Sequence, residues 1–367
     1  MIWLAFPAFV FLTVRLAVVL VNLFTRQYLK DRPLEGHPSV SVLIPARNEA
    51  GNLPGLLEGL LEQSCSPLEI WIYNDDSTDR TQEVIEAYAE QHSSIHYMKG
   101  EALPGGWNGK NHACHQLSLK AKGKYLLFMD ADVRVDRDLL SRAVAHALRY
   151  DLALLSIFPR QLMESFGEKI TVPVMNWILV SLLPLRLTRL SHYPSLAAAN
   201  GQFMLFRGRE YRQHRFHSLV RDINVEDIHI FRKMKRMGYT VHTVLSHGEI
   251  SCRMYRNLRE GIFGFTRSVF AFFGGSGLAL ILFTLLTTFG ILFVWFGMGP
   301  LYGWIYLGLT IFLRALVALL SLQPVIVTTL LSPVIQITFV WIVIQSFLLR
   351  SRGKNIWKGR VIQFRGI

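Results

Sequence analysis

Four apolar runs, at about residues 2–24, 277–297, 303–321 and 324–349, stand at the two ends of this chain. Each approaches or exceeds the roughly 20 residues that cross a hydrocarbon core. They call for a membrane-embedded helical part beside a separate, more polar middle. The first run is interrupted only by Arg15 and reads as a signal anchor. A cleaved signal peptide is the alternative, but no basic stretch precedes the run and no small-x-small cleavage site ends it. Arg26, Lys30 and Arg32 follow it, and positive charge there holds the next segment in the cytoplasm. Within the third run, Arg314 needs a partner or a route to the headgroups.

The C-terminal tail carries Arg350, Arg352, Lys354, Lys358, Arg360 and Arg365 without an acid. Such a tail favours the cytoplasm, whereas the uncharged N-terminus favours the outside, and four full spans would put both termini on one side. The expectation is that one run is re-entrant or interfacial, or that the tail departs from the rule. Pro324 and Pro333 make the last run the candidate for a broken hairpin. The formal charge of +13 is concentrated beside apolar segments, which points to anionic headgroups and away from nucleic acid. Cys65, Cys114 and Cys252 are too far apart for a disulfide framework or a metal knuckle, so a reducing compartment fits.

Between about 38 and 250, short apolar runs alternate with amphipathic stretches, the pattern of repeated βα units. Val40–Ile44, Leu68–Tyr73 and Tyr125–Met129 read as buried strands, and Leu53–Gln63 and Thr81–Gln91 as helices. Each strand runs into a polar cluster: Pro45-Ala46-Arg47-Asn48-Glu49, then Asn74-Asp75-Asp76-Ser77-Thr78-Asp79, then Asp130-Ala131-Asp132. Ligands of open α/β sheets bind outside the carboxyl ends of the strands, so three polar strand ends predict one shared site. Ile170–Leu190 is apolar but broken by Pro173 and Pro184, and reads as an interfacial helix, with a plain core helix as the alternative.

Asp130 and Asp132 emerge from one strand end, and two adjacent carboxylates are costly unless a cation neutralises them. A hard divalent ion bridging phosphate oxygens does this well. Asp75, at its own strand end, can accept hydrogen bonds from a base N–H or ribose hydroxyls, whereas Asp79 reads as a cap for the helix from Thr81. Glu226-Asp227 opens an amphipathic helix that continues to Met237 and stops at Gly238. Acids in a first turn are often only dipole partners. A hydroxyl nucleophile must lose its proton, however, and Asp227 is the expected base, with Glu226 as its neighbour or an acceptor contact. In Pro104-Gly105-Gly106-Trp107-Asn108-Gly109-Lys110, the glycines permit close backbone approach, Lys110 can meet a phosphate and Trp107 can stack on a ring. His112, Cys114 and His115 lack further ligands at zinc spacing and read as helix-packing residues. Arg253, Arg256, Arg259 and Arg267, set among aromatics just before an apolar run, read as a headgroup-level stretch, from which Arg253 could also reach back to a leaving diphosphate.

Taken together, these residues resemble family 2 glycosyltransferases, inverting enzymes of the nucleotide-sugar-binding GT-A fold. The segment Pro45–Glu49, the Asn74–Asp79 cluster against D-D-G-S-x-D, Asp130-Ala131-Asp132 against D-x-D and Glu226-Asp227 against E-D fall in the family's order across roughly residues 38–240. The Gly-Trp-Asn-Gly-Lys loop, the terminal apolar runs and the Trp357-Lys358-Gly359-Arg360 ending look like the branch that includes carotenoid- and hopanoid-associated members. The resemblance implies an α/β class, a GT-A mixed sheet flanked by helices, with N-terminal and C-terminal transmembrane helices. It implies Asp75 at the nucleobase, Glu49 along the nucleotide, Asp130 near the ribose, Asp132 on Mg²⁺ or Mn²⁺ at the diphosphate, and Asp227 as base. Two departures stand out. Asp76 replaces the usual glycine, and Q-x-x-R-W of processive polysaccharide synthases is absent, with Cys252-Arg253-Met254-Tyr255 in its neighbourhood.

The expected layout is a membrane anchor over 1–30, a catalytic domain over 31–250, an interfacial segment over 251–275, transmembrane segments over 276–350 and a basic tail over 351–367. The expected reaction is transfer of one sugar from a nucleotide-sugar donor to a lipid or isoprenoid acceptor at the cytoplasmic face of a cell membrane. A polyprenyl-phosphate acceptor and a catalytically inactive transport or scaffold protein are the alternatives.

Overall fold

A computed structural model describes residues 2–31, 34, 36, 38–352, 355–357 and 360–362 of the chain. Arg32, Lys354, Lys358 and Arg365, on which parts of the charge argument rest, and Gly359 of the 357–360 ending lie outside the described residues. The chain divides into two compact units, one of residues 1–26, 161–185 and 254–367, the other of residues 27–160 and 186–253.

The strands between the terminal apolar helices are β1 (Val40–Ala46), β2 (Glu69–Asn74), β3 (Ile95–Lys99), β4 (Tyr125–Met129), β5 (Val133–Val135), β6 (Leu154–Phe158), β7 (Arg160–Gln161), β8 (Phe203–Arg207), β9 (Val241–Leu245) and β10 (Ile250–Cys252). Seven of them form one sheet in the order β3-β2-β1-β4-β8-β6-β9. The pairs β2–β3, β1–β2, β1–β4 and β6–β9 are parallel, whereas β8 runs antiparallel to both β4 and β6. The strands are largely apolar, as strands covered on both faces are, and every residue of β4, β6 and β9 is buried. The helix Leu139–Arg149 shows the matching period: Leu139, Leu140, Ala143, Val144 and Ala147 face inward, and the polar residues face out. β10 pairs antiparallel with β5, setting Cys252 opposite Val133.

Parallel order puts the carboxyl ends of β2, β1 and β4 on one edge, as three polar strand ends required. At the opposite edge, Glu69 locks the sheet. Its carboxylate accepts hydrogen bonds from Ser41 Oγ at 2.6 Å, the Lys122 amide at 2.7 Å and Trp71 Nε1 at 2.9 Å. Ser41 Oγ in turn accepts from the Gly123 amide at 2.8 Å. An added Cβ on Gly123 would stand 2.6 Å from Ser41 N, so only glycine lets this turn close on β1.

The first unit is helical. Four of its helices, Trp3–Thr25, Gly277–Met298, Pro300–Leu320 and Ser332–Ser351, are long and apolar enough to cross a membrane. The last apolar run is not a hairpin. Pro324 caps the short helix Val325–Leu330, and Pro333 lies in the first turn of Ser332–Arg352, where a missing N–H costs no helical bond. The Ile170–Leu190 stretch also differs from a helix lying at an interface. Within it, Pro173–Leu182 is a packed helix with Val174, Met175, Trp177, Ile178 and Val180 buried. Asn22 of the first helix fastens it by donating to the carbonyls of Val180 and Leu183 at 2.8 and 2.9 Å and accepting from Leu185 N at 2.8 Å.

Burial would raise the Glu69 carboxyl, but its hydrogen bonds from Ser41, Lys122 and Trp71 outweigh this and hold it below the usual carboxylate range. A depressed folded value means stability that is present at neutral pH and lost as pH falls below about 4. Glu69→Gln should therefore cost about 1–3 kcal/mol at pH 7 and much less at pH 3, read from thermal unfolding at the two values. Equal losses at both would disprove the role assigned to the charge.

Candidate active site

At the carboxyl edge, β1 ends in Arg47-Asn48-Glu49 and β2 in Asp75-Asp76, and the two ends are stitched together. Arg47 Nη1 donates to the Asp75 carbonyl at 2.6 Å and lies 3.6 Å from Asp76 Oδ2. Asn48 Oδ1 accepts from Thr78 N at 2.8 Å, and Asp79 bridges Ala50 N at 3.1 Å and Thr81 N at 3.0 Å. Asp79 is thus a clasp as well as a helix-start residue. Asp76 stands at φ 54°, in the left-handed region that aspartate tolerates better than most residues. The turn that a glycine would make is made here by Asp76. Asp75 itself is buried at this strand end.

The loop before the helix Gly109–Lys120 is pinned from the far side. Asn108 Oδ1 caps that helix by accepting from Lys110 N at 3.1 Å, while Asn108 Nδ2 donates to Asn224 Oδ1 at 2.8 Å. Asn111 Nδ2 donates to the carbonyls of Val220 and Ile223 at 2.7 and 2.8 Å. These bonds hold the first turn of one helix beside the segment that opens the helix Glu226–Arg236. Trp107 lies against His115 with ring centroids 5.2 Å apart and edge-on to His112 at 5.5 Å, which anchors the loop to its own helix. His112 and Cys114 are buried packing residues, and among the described residues no group of three or more His, Cys, Asp or Glu side chains forms a metal cage.

Lys110 is the hinge of the site. Its Nζ stands 2.7 Å from Asp130 Oδ1, 3.0 Å from Asp130 Oδ2 and 3.0 Å from Glu226 Oε1. Burial opposes its charge, but Asp130 and Glu226 outweigh that and hold the ammonium well above its ordinary value. Glu226 is therefore more than a neighbour of Asp227, since it shares a cation with the Asp130 strand end. Asp227 accepts from the Gly201 amide at 2.8 Å through Oδ2 and from the Ile228 amide at 2.8 Å through Oδ1. Burial and the Glu226 charge raise its carboxyl to about 7, against the lowering effect of Lys110 and the two amides.

Sequence reasoning passed over Gly201, Gln202 and the side chain of Cys252. The antiparallel β8 brings its first residue, Phe203, opposite Met129, so the residues just before it arrive beside Asp130 and Asp132. A Cβ on Gly201 would meet Lys110 Nζ at 2.9 Å and Glu226 Oε1 at 3.2 Å. Gln202 Nε2 donates at 3.3 Å to each Asp132 oxygen and lies 2.7 Å from Cys252 Sγ. Burial and Asp132 hold the Cys252 thiol well above its usual range, which leaves it a neutral neighbour of that carboxylate. Arg253 follows Cys252 directly at the end of β10. The only local signal was the small-polar string Asn200-Gly201-Gln202 before an apolar strand.

Burial, then the charges of Asp130 and Glu49, raise Asp132 to about 6. Three carboxylates thus concentrate negative charge, which Lys110 offsets through its ion pair with Asp130. Hard oxygen donors in this state fit a divalent cation that takes its remaining ligands from phosphate and water.

Residues 41–213 match the family model described as Glycosyl transferase family 2. A 4,4'-diaponeurosporenoate glycosyltransferase of Staphylococcus haemolyticus (strain JCSC1435) is 34% identical over 143 residues, covering 37% of each chain. Its namesake in Staphylococcus aureus (strain N315) is 30% identical over 169 residues, covering 45% of this chain and 44% of that one. The match spans less than half the length of these curated relatives. A mannosyltransferase of Pyrobaculum calidifontis, solved in complex with GDP-Man and Mn2+, has a TM-score of 0.57 at 17% identity over 94% of this chain and 99% of that one. That likeness establishes the fold as GT-A. Residues 41–213 belong to glycosyl transferase family 2, within a chain that resembles the carotenoid-associated glycosyltransferases.

Proposed function

We propose that this chain transfers one sugar from a nucleotide-diphosphate sugar to a lipophilic acceptor at a membrane, by direct displacement with inversion at the anomeric carbon. The observation that carries the reading is the convergence on Lys110 and Gly201 of Asp130, Glu226 and Asp227, drawn from separate segments of the chain. The relatives, named for a carotenoid acid, support a lipophilic acceptor. The four long apolar helices support a multi-pass membrane protein. Arg26 and Lys30 after the first helix favour a cytoplasmic catalytic unit.

In this reading, Asp75 and Glu49 bind the nucleoside, with Asp75 at the base. Asp132, with Asp130, holds Mg²⁺ or Mn²⁺, which when bound offsets charge on the departing diphosphate. Lys110 neutralises Asp130 and Glu226 and stands ready to meet a phosphate oxygen. Trp107 and Arg253 line the donor, the former beside a ring and the latter beside the diphosphate. Asp227 takes the proton of the acceptor hydroxyl, and two backbone amides fix its orientation.

Three outcomes are expected. Asp227→Asn should lower turnover about 10²–10⁴-fold while donor affinity, measured by calorimetry, changes little. A base must be ionised to act, so kcat/KM should climb as pH rises through about 7, the value to which Asp227 is raised. An activity that falls through that interval would remove Asp227 from the role. Stripping divalent ions with EDTA should abolish nucleoside diphosphate release from a panel of UDP- and GDP-sugars, and Mg²⁺ or Mn²⁺ should restore it. Full activity in the chelated enzyme would count against the metal reading.

A further inference from the structure

Inside the helical unit, Arg15 and Arg314 are almost fully buried, at 4% and 6% exposure. Both guanidinium carbons lie over the Trp177 ring, 4.7 and 3.6 Å from its centroid. Arg15 donates to Ser181 Oγ through Nε at 3.1 Å and Nη2 at 2.7 Å. Arg314 donates through Nη2 to Gln336 Oε1 at 2.7 Å. Gln336 is turned for this by its own amide, which donates to the hydroxyls of Thr287 and Thr288 at 3.2 and 2.9 Å. Among the described residues, no Asp or Glu forms an ion pair with either arginine. The Trp177 indole N–H is buried and has no acceptor.

One neighbourhood therefore gathers two cationic forks and an orphaned N–H. A guanidinium carries five N–H donors, and the neutral oxygens of Ser181 and Gln336 answer only some of them. Cation–π contact offsets part of the cost, but two like charges on one indole also repel. Ionisable groups inside apolar helical units are expensive and mark ligands or pathways. The missing component is an anion that only accepts, and carboxylates and phosphates match the arginine fork in two-point geometry. A small anion would have to give up its whole hydration shell to enter apolar surroundings, whereas one carried on an apolar chain enters with favourable burial of that chain.

We propose that Arg15, Arg314 and Trp177 form a binding site for a lipid-borne anion, a carboxylate or phosphate at the head of an apolar chain. The site rests on the helical unit alone, so it stands or fails separately from the transferase reading.

The test uses the full chain in a neutral detergent and cis-parinaric acid, a fluorescent polyene carboxylate, followed by energy transfer from tryptophan. The acid should bind and raise the melting temperature, and dodecyl phosphate should displace it. Its methyl ester should bind at least about tenfold more weakly, and inorganic phosphate at the same concentration should not compete. Arg314→Gln and Arg15→Gln should each weaken binding at least about tenfold and remove the ligand-dependent rise in melting temperature. Arg314→Lys keeps the charge without the fork and should lose affinity several-fold, which carries the test if a glutamine variant does not fold. Equal binding of acid and ester, or wild-type affinity in the folded variants, would overturn the site. Displacement by inorganic phosphate as effective as by dodecyl phosphate would overturn its lipid-borne character.

Discussion

The Lys110 ammonium lies 2.7 Å from Asp130 and 3.0 Å from Glu226, and through these contacts it draws the end of β4 and the start of the Glu226–Arg236 helix to one point. Without a cation there, the carboxylates of Asp130, Glu226 and Asp227 would repel, and each would gain by moving into water. Much of the surrounding structure serves to put Lys110 in place. Asn108 caps its helix, and Asn111 ties that helix to the carbonyls of Val220 and Ile223. Gly201 leaves the room that the Lys110 side chain fills.

The same electrostatics give the acids different characters. Asp130 and Glu226 share a cation. Asp227 is bounded by two amides but crowded by Glu226, and its carboxyl is raised to about 7. Asp132 faces Asp130 and Glu49 with an amide and a thiol for company, and is raised to about 6. Groups of one chemical type thus acquire separate affinities for a proton and for a cation from their surroundings alone.

The helical unit handles charge in the opposite way. There the buried Arg15 and Arg314 are met by neutral oxygens and an indole face, and neither forms an ion pair with an acid among the described residues. The sequence showed Arg314 as a residue in need of a partner, but nothing in its neighbours along the chain indicated Trp177 or Arg15. Those partners come from other helices, because a helix interior is read by its neighbours in space.

Much of this was legible beforehand. Tyr125–Met129 and Thr81–Gln91 lie where apolar period and caps place them, and three polar strand ends imply one edge because parallel strands share a direction. The motif residues Asp75, Asp130, Asp132, Glu226 and Asp227 stand out by composition and order, so the sequence alone marked these acids as candidates and determined that the terminal helices are apolar. Tertiary structure decided the rest. The reversal of β8 carried Gly201 and Gln202 to the acids, packing buried Pro173–Leu182 that reads as an interfacial stretch, and folding assigned Lys110 to Asp130 and Glu226. Local pattern encodes which face of an element is apolar, but the partner of a charge is set by distance, and distance between remote segments exists only once the chain has closed on itself.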